Sequence, residues 1–245
     1  MRTRRHAGAI LAGLVIGSVV LAAPAAAARP GGGSGPKILR FDGYDWLVKS
    51  SARRIGPGPN LFDPNGAFLD GAGNLHLRIA RVNGKWQSSE VINQASLGRG
   101  TYSWTIQGDL AALDQNAVLG LFTWNDDPTF NHREIDVEFA RWGYAGDPTN
   151  GQFAVQPYST TGNLLRITQP AGITSSTHAF TWGTSSVDFS SSSGVPATWT
   201  YAGPDVPQPG GENARMNLWL FRGQAPSNGQ PIEIVITDFT FTPLP

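Results

Sequence analysis

The chain of 245 residues contains no cysteine, two methionines and four histidines, and only 15% of its residues are charged. Without cysteine there is no disulfide frame, thiolate metal site, thiol nucleophile or cysteine-linked lipid anchor. The 18 Lys+Arg balance 18 Asp+Glu, which excludes a charge-driven nucleic-acid binder, and 40% apolar content excludes a disordered chain. Also missing are a Gly-rich phosphate loop ending in Lys-Ser/Thr, H-E-x-x-H, G-x-S-x-G, and G-x-G-x-x-G between a strand and a helix. Nucleotide, zinc-peptidase and serine-hydrolase chemistries therefore have no footing, and neither a metal nor a cofactor is expected.

What is present begins with an export pattern. Arg2, Arg4 and Arg5 precede an apolar run from Ala7 to Ala23, closed by the small residues Ala25 to Ala28. A basic head, apolar middle and A-x-A exit read as a secretory signal. The alternative is an uncleaved membrane anchor, because the run approaches the ~17-residue lower limit for a span; its glycines and Pro24 argue for cleavage. The expected organisation is a signal at 1–28, a Gly/Pro linker at 29–36 and one domain at 37–245. Removing the signal takes away three Arg and no acid, so the exported product is mildly acidic. That gives no electrostatic reason to bind nucleic acid or an anionic membrane, and a secreted monomer is expected.

Strand patterning dominates the domain. Leu75, Leu77 and Ile79 alternate with polar or small residues, as do Tyr102, Trp104 and Ile106, and Ile232, Ile234 and Ile236 before Phe239 and Phe241. Turn pairs such as Asp70-Gly71, Asn83-Gly84 and Asn228-Gly229 separate the runs, and no stretch carries a helical apolar repeat. The expected fold is all-β, a two-sheet antiparallel β-sandwich or jelly roll, with a closed barrel as the alternative.

Chemistry concentrates where acids are scarce. The exported chain has five glutamates: Glu90, Glu134, Glu138, Glu212 and Glu233. In Glu134-Ile135-Asp136-Val137-Glu138-Phe139, a strand places all three carboxylates on one face and Ile135, Val137 and Phe139 on the other. Like charges on one strand face repel and destabilise the sheet. Paired-carboxylate chemistry on a sugar gives that cost a reason: one carboxyl attacks or activates water while the other protonates the leaving oxygen. The Glu134 and Glu138 α-carbons should lie about 13 Å apart at ~3.3 Å per residue, which leaves both retaining and inverting geometries open. A solvated acidic face and a calcium site are the competing readings, although a flat strand hosts calcium poorly.

Aromatics surround the acids in the sequence. If the strand continues, Trp142 falls on the acid face; Trp124 and Trp219, beside Asn217, are further candidates for stacking on sugar rings, while Trp104 reads as core. His132, two residues before Glu134, also falls on that face and is a candidate partner for a carboxylate or a substrate. Gly56-Pro57-Gly58-Pro59-Asn60 reads as a turn fixing a sheet edge.

The acidic hexapeptide resembles glycoside hydrolase family 16, the jelly-roll enzymes that include lichenases, laminarinases and xyloglucan transferases. Gly100-Thr101-Tyr102-Ser103-Trp104, His178-Ala179-Phe180-Thr181-Trp182, Met216-Asn217-Leu218-Trp219 and Ile234-Val235-Ile236-Thr237-Asp238-Phe239 resemble other strands of that family, in order. The resemblance implies Glu134 as nucleophile, Asp136 as its hydrogen-bonded modulator and Glu138 as general acid/base, in a retaining double displacement. The single residue between Asp136 and Glu138 is similar to the regular-strand version of the motif. Ser103 and Thr105, where the family often has Glu and Arg on a strand entering the catalytic sheet, and Ala140-Arg141-Trp142 after Phe139, depart from the pattern. Two functions are therefore carried forward: an endo-acting glycosidase or transglycosylase on a glucan-like polysaccharide, and a secreted glycan-binding jelly roll without turnover. A structural surface protein is a third.

Overall fold

A computed structural model describes residues 35–193 and 196–244. The signal and all but the last two residues of the linker lie outside the described residues. In chain order the strands are β1 (Ile38–Phe41), β2 (Tyr44–Val48), β3 (Ser51–Ile55), β4 (Asn60–Phe62), β5 (Ala67–Leu69) and β6 (Leu75–Val82). Next come β7 (Lys85–Gln87), β8 (Ser89–Asn93), β9 (Gly100–Gln107), β10 (Ala117–Trp124), β11 (Ile135–Ala140) and β12 (Gly151–Val155). The last six are β13 (Leu164–Ile167), β14 (Ser175–Trp182), β15 (Val187–Ser192), β16 (Ala197–Tyr201), β17 (Asn213–Leu220) and β18 (Ile232–Pro243).

Two large antiparallel sheets form the expected sandwich. The first has the order β1-β2-β8-β17-β10-β11-β12-β13, and the second β16-β15-β14-β9-β18-β6-β5, with β7 paired to β6 and β3-β4 a separate hairpin. Alternation assigns the faces: Tyr102, Trp104 and Ile106 of β9 and Leu75, Leu77 and Ile79 of β6 are fully buried between the sheets. In β18 the alternation changes phase. Ile234 and Ile236 face the core at even positions, and an irregularity in pairing between Ile236 and Asp238 turns the odd-numbered Phe239 inward. One extra residue on one strand shifts the side-chain period by one.

The placement of β9 corrects one expectation. Ser103 and Thr105 do not enter the sheet that carries the acids; β9 lies in the second sheet between β14 and β18. Because Tyr102 and Trp104 take the core side, their neighbours face away from the core, where the Thr105 hydroxyl meets Thr177 at 3.2 Å. Their identity therefore says nothing about substrate.

Candidate active site

The first sheet positions the acids. Strand β11 pairs with β10 from Val118↔Ala140 to Phe122↔Asp136, and with β12 from Ile135↔Val155 to Phe139↔Gly151, with no break in register. Ile135, Val137 and Phe139 are fully buried in the sandwich, so Asp136 and Glu138 point to the opposite face, as the alternation requires. Glu134 sits one residue before the strand in extended backbone (φ −89°, ψ 124°), which keeps it in phase with them. All three line a cleft of about 910 Å³ on the outer face of this sheet.

Two glutamines address the acids from the β12 side. Gln152, opposite Glu138, donates from Nε2 to Glu138 Oε2 at 2.7 Å, while its Oε1 accepts from Arg166 Nη1 at 3.0 Å. Arg166 in turn is held by Asp147 at 2.9 Å. Gln156 donates from Nε2 to Asp136 Oδ2 at 2.9 Å, and its Oε1 accepts from the Tyr158 N–H at 2.9 Å. In each case a donor occupies the carbonyl end of the amide, so the NH₂ end is committed to a carboxylate.

Burial raises the proton affinity of the cluster. Glu134 is pushed up to about 8 by burial and then by the nearby Glu138 charge, against the pull of a hydrogen bond from Asp136 and of the Arg215 charge. Glu138 is also pushed up to about 8, by burial and then by Asp136, with Gln152 and Arg166 opposing. Asp136 rises well above its ordinary value through burial and the Glu134 charge. The hydrogen bond between Asp136 and Glu134 favours the proton on Asp136 and the charge on Glu134. Within a cluster whose proton affinities are all raised, this bond singles out Glu134 for charge and Asp136 for a proton, a division that a nucleophile and its hydrogen-bonding neighbour can use.

On the other flank the floor is formed by β10, β17 and β8. Gly120 lies between Glu138 and Asn217 in register, and a Cβ there would stand 2.5 Å from Asn217 Oδ1, so only glycine leaves room for the carboxamide. Glu90, fully buried on β8, pairs with Lys49 at 2.8 Å and lies 3.6 Å from Arg215 Nη1. Glu90 Oε1, Arg215 Nε and Asn217 Oδ1 have no hydrogen-bond partner in the protein among the described residues. Unpartnered polar atoms buried this deeply beside a cleft are exceptions to the usual pairing of buried polar groups and mark the polar side of its floor.

Trp124, Asn217 and Trp219 line the cleft, as does Trp142. Trp142 arrives by a different route from the one expected: β11 ends at Ala140, and Trp142 adopts a left-handed backbone (φ 50°) that swings it beside Trp219, at 6.2 Å between ring centres, and Phe221, at 5.4 Å. His132 is not on the strand face. It lies in a short 3-10 turn, Asn131–Arg133, stacks on Trp124 at 4.0 Å with 8° between the planes, and is bonded through Nδ1 to the Asn125 carbonyl at 2.9 Å. The strand begins only at Ile135, so alternation could not be extended back to it.

The cleft also takes residues that the sequence did not mark. Lys49, Glu90, Gln152, Gln156 and Arg215 come from strand neighbours that local pattern does not reveal, although the scarcity of glutamate was a usable signal for Glu90. Gly56 and Pro57, read as an edge turn, line the cleft as well. The turn is seated by Asn60, which donates to the Leu220 carbonyl at 2.9 Å, and by Gly58, where a Cβ would stand 3.3 Å from the Trp219 ring. Among the described residues no group of three or more His, Asp or Glu is arranged to hold a metal ion.

No family model matches the sequence, and no curated protein matches it. Solved structures do. The Bacillus licheniformis beta-glucanase aligns with a TM-score of 0.62 and 21% identity, over 86% of this chain and 99% of that one. The laminarinase from Flavobacterium sp. UMI-01 aligns at 0.61 and 12% identity, over 85% and 96%. An immunostimulatory antigen and pseudo beta-1,3-glucanase of Mycobacterium tuberculosis aligns at 0.57 and 21%, over 78% and 88%. The chain thus has the jelly-roll fold of family 16 glycoside hydrolases across nearly the full length of those enzymes. At identities of 12–21% the likeness is one of fold alone.

Proposed function

We propose that the protein is a glycoside hydrolase of family 16 type that cleaves internal β-glycosidic bonds of a glucan-like polysaccharide with retention of configuration. The observation that carries this reading is the grouping of Glu134, Asp136 and Glu138 on one face of an aromatic-lined cleft, with the proton affinities of all three raised. In this reading the Glu134 carboxylate attacks the anomeric carbon and forms a glycosyl ester, while Glu138 gives its proton to the departing glycosidic oxygen. Glu138, now ionised, then takes a proton from water as that water attacks the same carbon and frees Glu134. A sugar hydroxyl replacing the water gives transglycosylation by the same path. Asp136 donates its hydrogen bond to the Glu134 carboxylate and gives it up as the ester forms.

Trp142, Trp124 and Trp219 would meet the apolar C–H faces of sugars, and Glu90, Arg215 and Asn217, which line the same cleft, supply its polar flank. The N-terminal segment supports export, and the enzyme would act outside the cell as a monomer. Purified protein should release new reducing ends from a soluble β-glucan, with Glu134→Gln and Glu138→Gln each slower by ~100-fold or more. Equal rates for wild type and Glu134→Gln would sink the assignment.

The second reading is a glycan-binding jelly roll without turnover, favoured by the likeness to the mycobacterial pseudo beta-1,3-glucanase. It requires saturable polysaccharide binding and no reducing ends from a broad substrate panel.

A further inference from the structure

Immediately before Glu134, the backbone of Phe130, Asn131, His132 and Arg133 is left-handed in succession, with φ of 52°, 50°, 63° and 54°. Side chains with a Cβ are disfavoured there, Asn least so, and a run of four persists only where surrounding contacts over-determine it. His132 supplies part of them, through Trp124 and the Asn125 carbonyl, and Arg133, which is 7% exposed, supplies the rest of the side-chain grip. Its guanidinium donates from Nε to the Gln208 carbonyl at 2.9 Å and from Nη1 to the Thr129 carbonyl at 3.3 Å, and lies 5.5 Å from the centre of the Phe130 ring. It lies against Gly210, where a Cβ would stand 2.5 Å from Nε and Nη2.

The segment that Arg133 grips is itself anchored. Trp182 Nε1 donates to the Pro207 carbonyl at 3.1 Å, Arg99 Nη2 donates to Gln208 Oε1 at 2.6 Å, and Gly210 N–H donates to Oε2 of the fully buried Glu212 at 2.8 Å. On the other side, the Arg133 carbonyl accepts from the Thr123 hydroxyl at 2.8 Å, and that same hydroxyl accepts from the Ile135 N–H at 3.2 Å. Glu134 is the residue between these two peptide groups. Its approach to the cleft is thus set by a turn held on one side by the arginine clamp and on the other by His132, which stacks on Trp124 and bonds the Asn125 carbonyl.

We propose that Arg133 is a positioning residue for Glu134: wedged against Gly210, it holds the left-handed turn Phe130–Arg133 that presents the Glu134 carboxylate at the mouth of β11. The inference rests on the nucleophile role given to Glu134 above. It also gives Glu212, a buried carboxylate that the chemistry does not use, the task of fixing the surface on which Arg133 bears.

The test uses purified wild-type protein, Arg133→Lys and Gly210→Ala, with activity expressed per folded molecule from circular dichroism and thermal melting. Lysine keeps the charge but cannot reproduce the planar contact and paired donors. Gly210 is not in the left-handed region, so alanine there meets the guanidinium rather than backbone strain. Displacing a nucleophile by about 1 Å costs on the order of 100-fold in rate. Both variants are expected to lose ~10- to 100-fold in kcat with KM within about twofold, and to shift the acid limb of the kcat/KM profile, where Glu134 must be ionised. A purely structural strut would lower the melting temperature and leave kcat per folded molecule and the pH profile unchanged, which would overturn the proposal. If Arg133→Lys does not fold, Gly210→Ala decides. Full turnover by Glu134→Gln, or none by the wild type, would instead remove the nucleophile reading on which this one stands.

Discussion

Gln152 Nε2 stands 2.7 Å from Glu138 Oε2, while the other end of the same amide is held by Arg166. The donated hydrogen bond favours the charged form of Glu138 and so opposes the upward push of burial. In Gln152→Met that opposition disappears. The alkaline limb of the kcat profile, where Glu138 must keep its proton, should move to higher pH, with kcat falling ~10-fold as the acid loses its orientation. An unchanged limb in a pH series would show that Gln152 does not address Glu138 in solution.

The acid cluster costs stability. Glu138 titrates near 8 in the folded protein against an ordinary value of 4.5, so between those pH values the folded state binds more protons than the unfolded one. Stability is then lost as pH rises through that window. Glu138→Gln should cut turnover ~100-fold or more and yet raise the melting temperature at pH 8 by a few degrees, on the order of 1–3 kcal/mol, with less gain at pH 5. Calorimetry at the two pH values checks both the sign and the trend.

His178 behaves oppositely. It is fully buried, packs on Phe139 at 4.5 Å, and is bonded through its two ring nitrogens to the Ser176 and Ser191 hydroxyls, at 2.8 Å each. Burial pulls it down to about 3 from 6.5, so the unfolded state binds the extra proton in between. Its contribution is fully present above pH 6.5 and is lost as pH falls toward 3. Urea unfolding of His178→Asn should show lower stability at pH 7, because the serines lose partners, and a shallower decline between pH 6.5 and 4.

Gly120 is a steric demand that activity can report. In Gly120→Ala the new methyl meets Asn217 Oδ1, and the carboxamide must leave its place on the cleft floor. Substrate affinity should weaken ~10-fold or more in isothermal titration against a β-glucan oligosaccharide, with the protein folded.

Trp142 gives a separate handle on binding. It lines the cleft packed beside Trp219 and Phe221, and as a stacking surface for sugar it gives the expectation that Trp142→Ala raises KM ~10-fold while kcat changes little. A matching loss in kcat would mean that this indole acts at the reacting sugar.

The period-two pattern of β6, β9 and β11 was enough to anticipate an all-β sandwich, the buried Trp104, and the common face of Asp136 and Glu138 with Glu134. It failed where the chain leaves a strand. Extending the alternation of β11 past its ends puts His132 and Trp142 on the acid face, whereas both sit in left-handed backbone outside the strand. It is also silent on which sheet β9 joins, and so on whether Ser103 and Thr105 stand in the sheet that carries the acids.

The sequence by itself determined which side chains share a face, because side-chain direction along a strand is a local consequence of the pleat and needs only neighbouring residues. Only the tertiary structure decided what stands across from them. Gln152 faces Glu138, Asn217 lies over Gly120 beside Glu90, and Arg133 reaches Gly210 because β8, β10, β11, β12 and β17, distant along the chain, pair in one sheet. Register of that kind is fixed by the burial of the whole sandwich, a sum over many distant contacts that no local stretch of sequence contains.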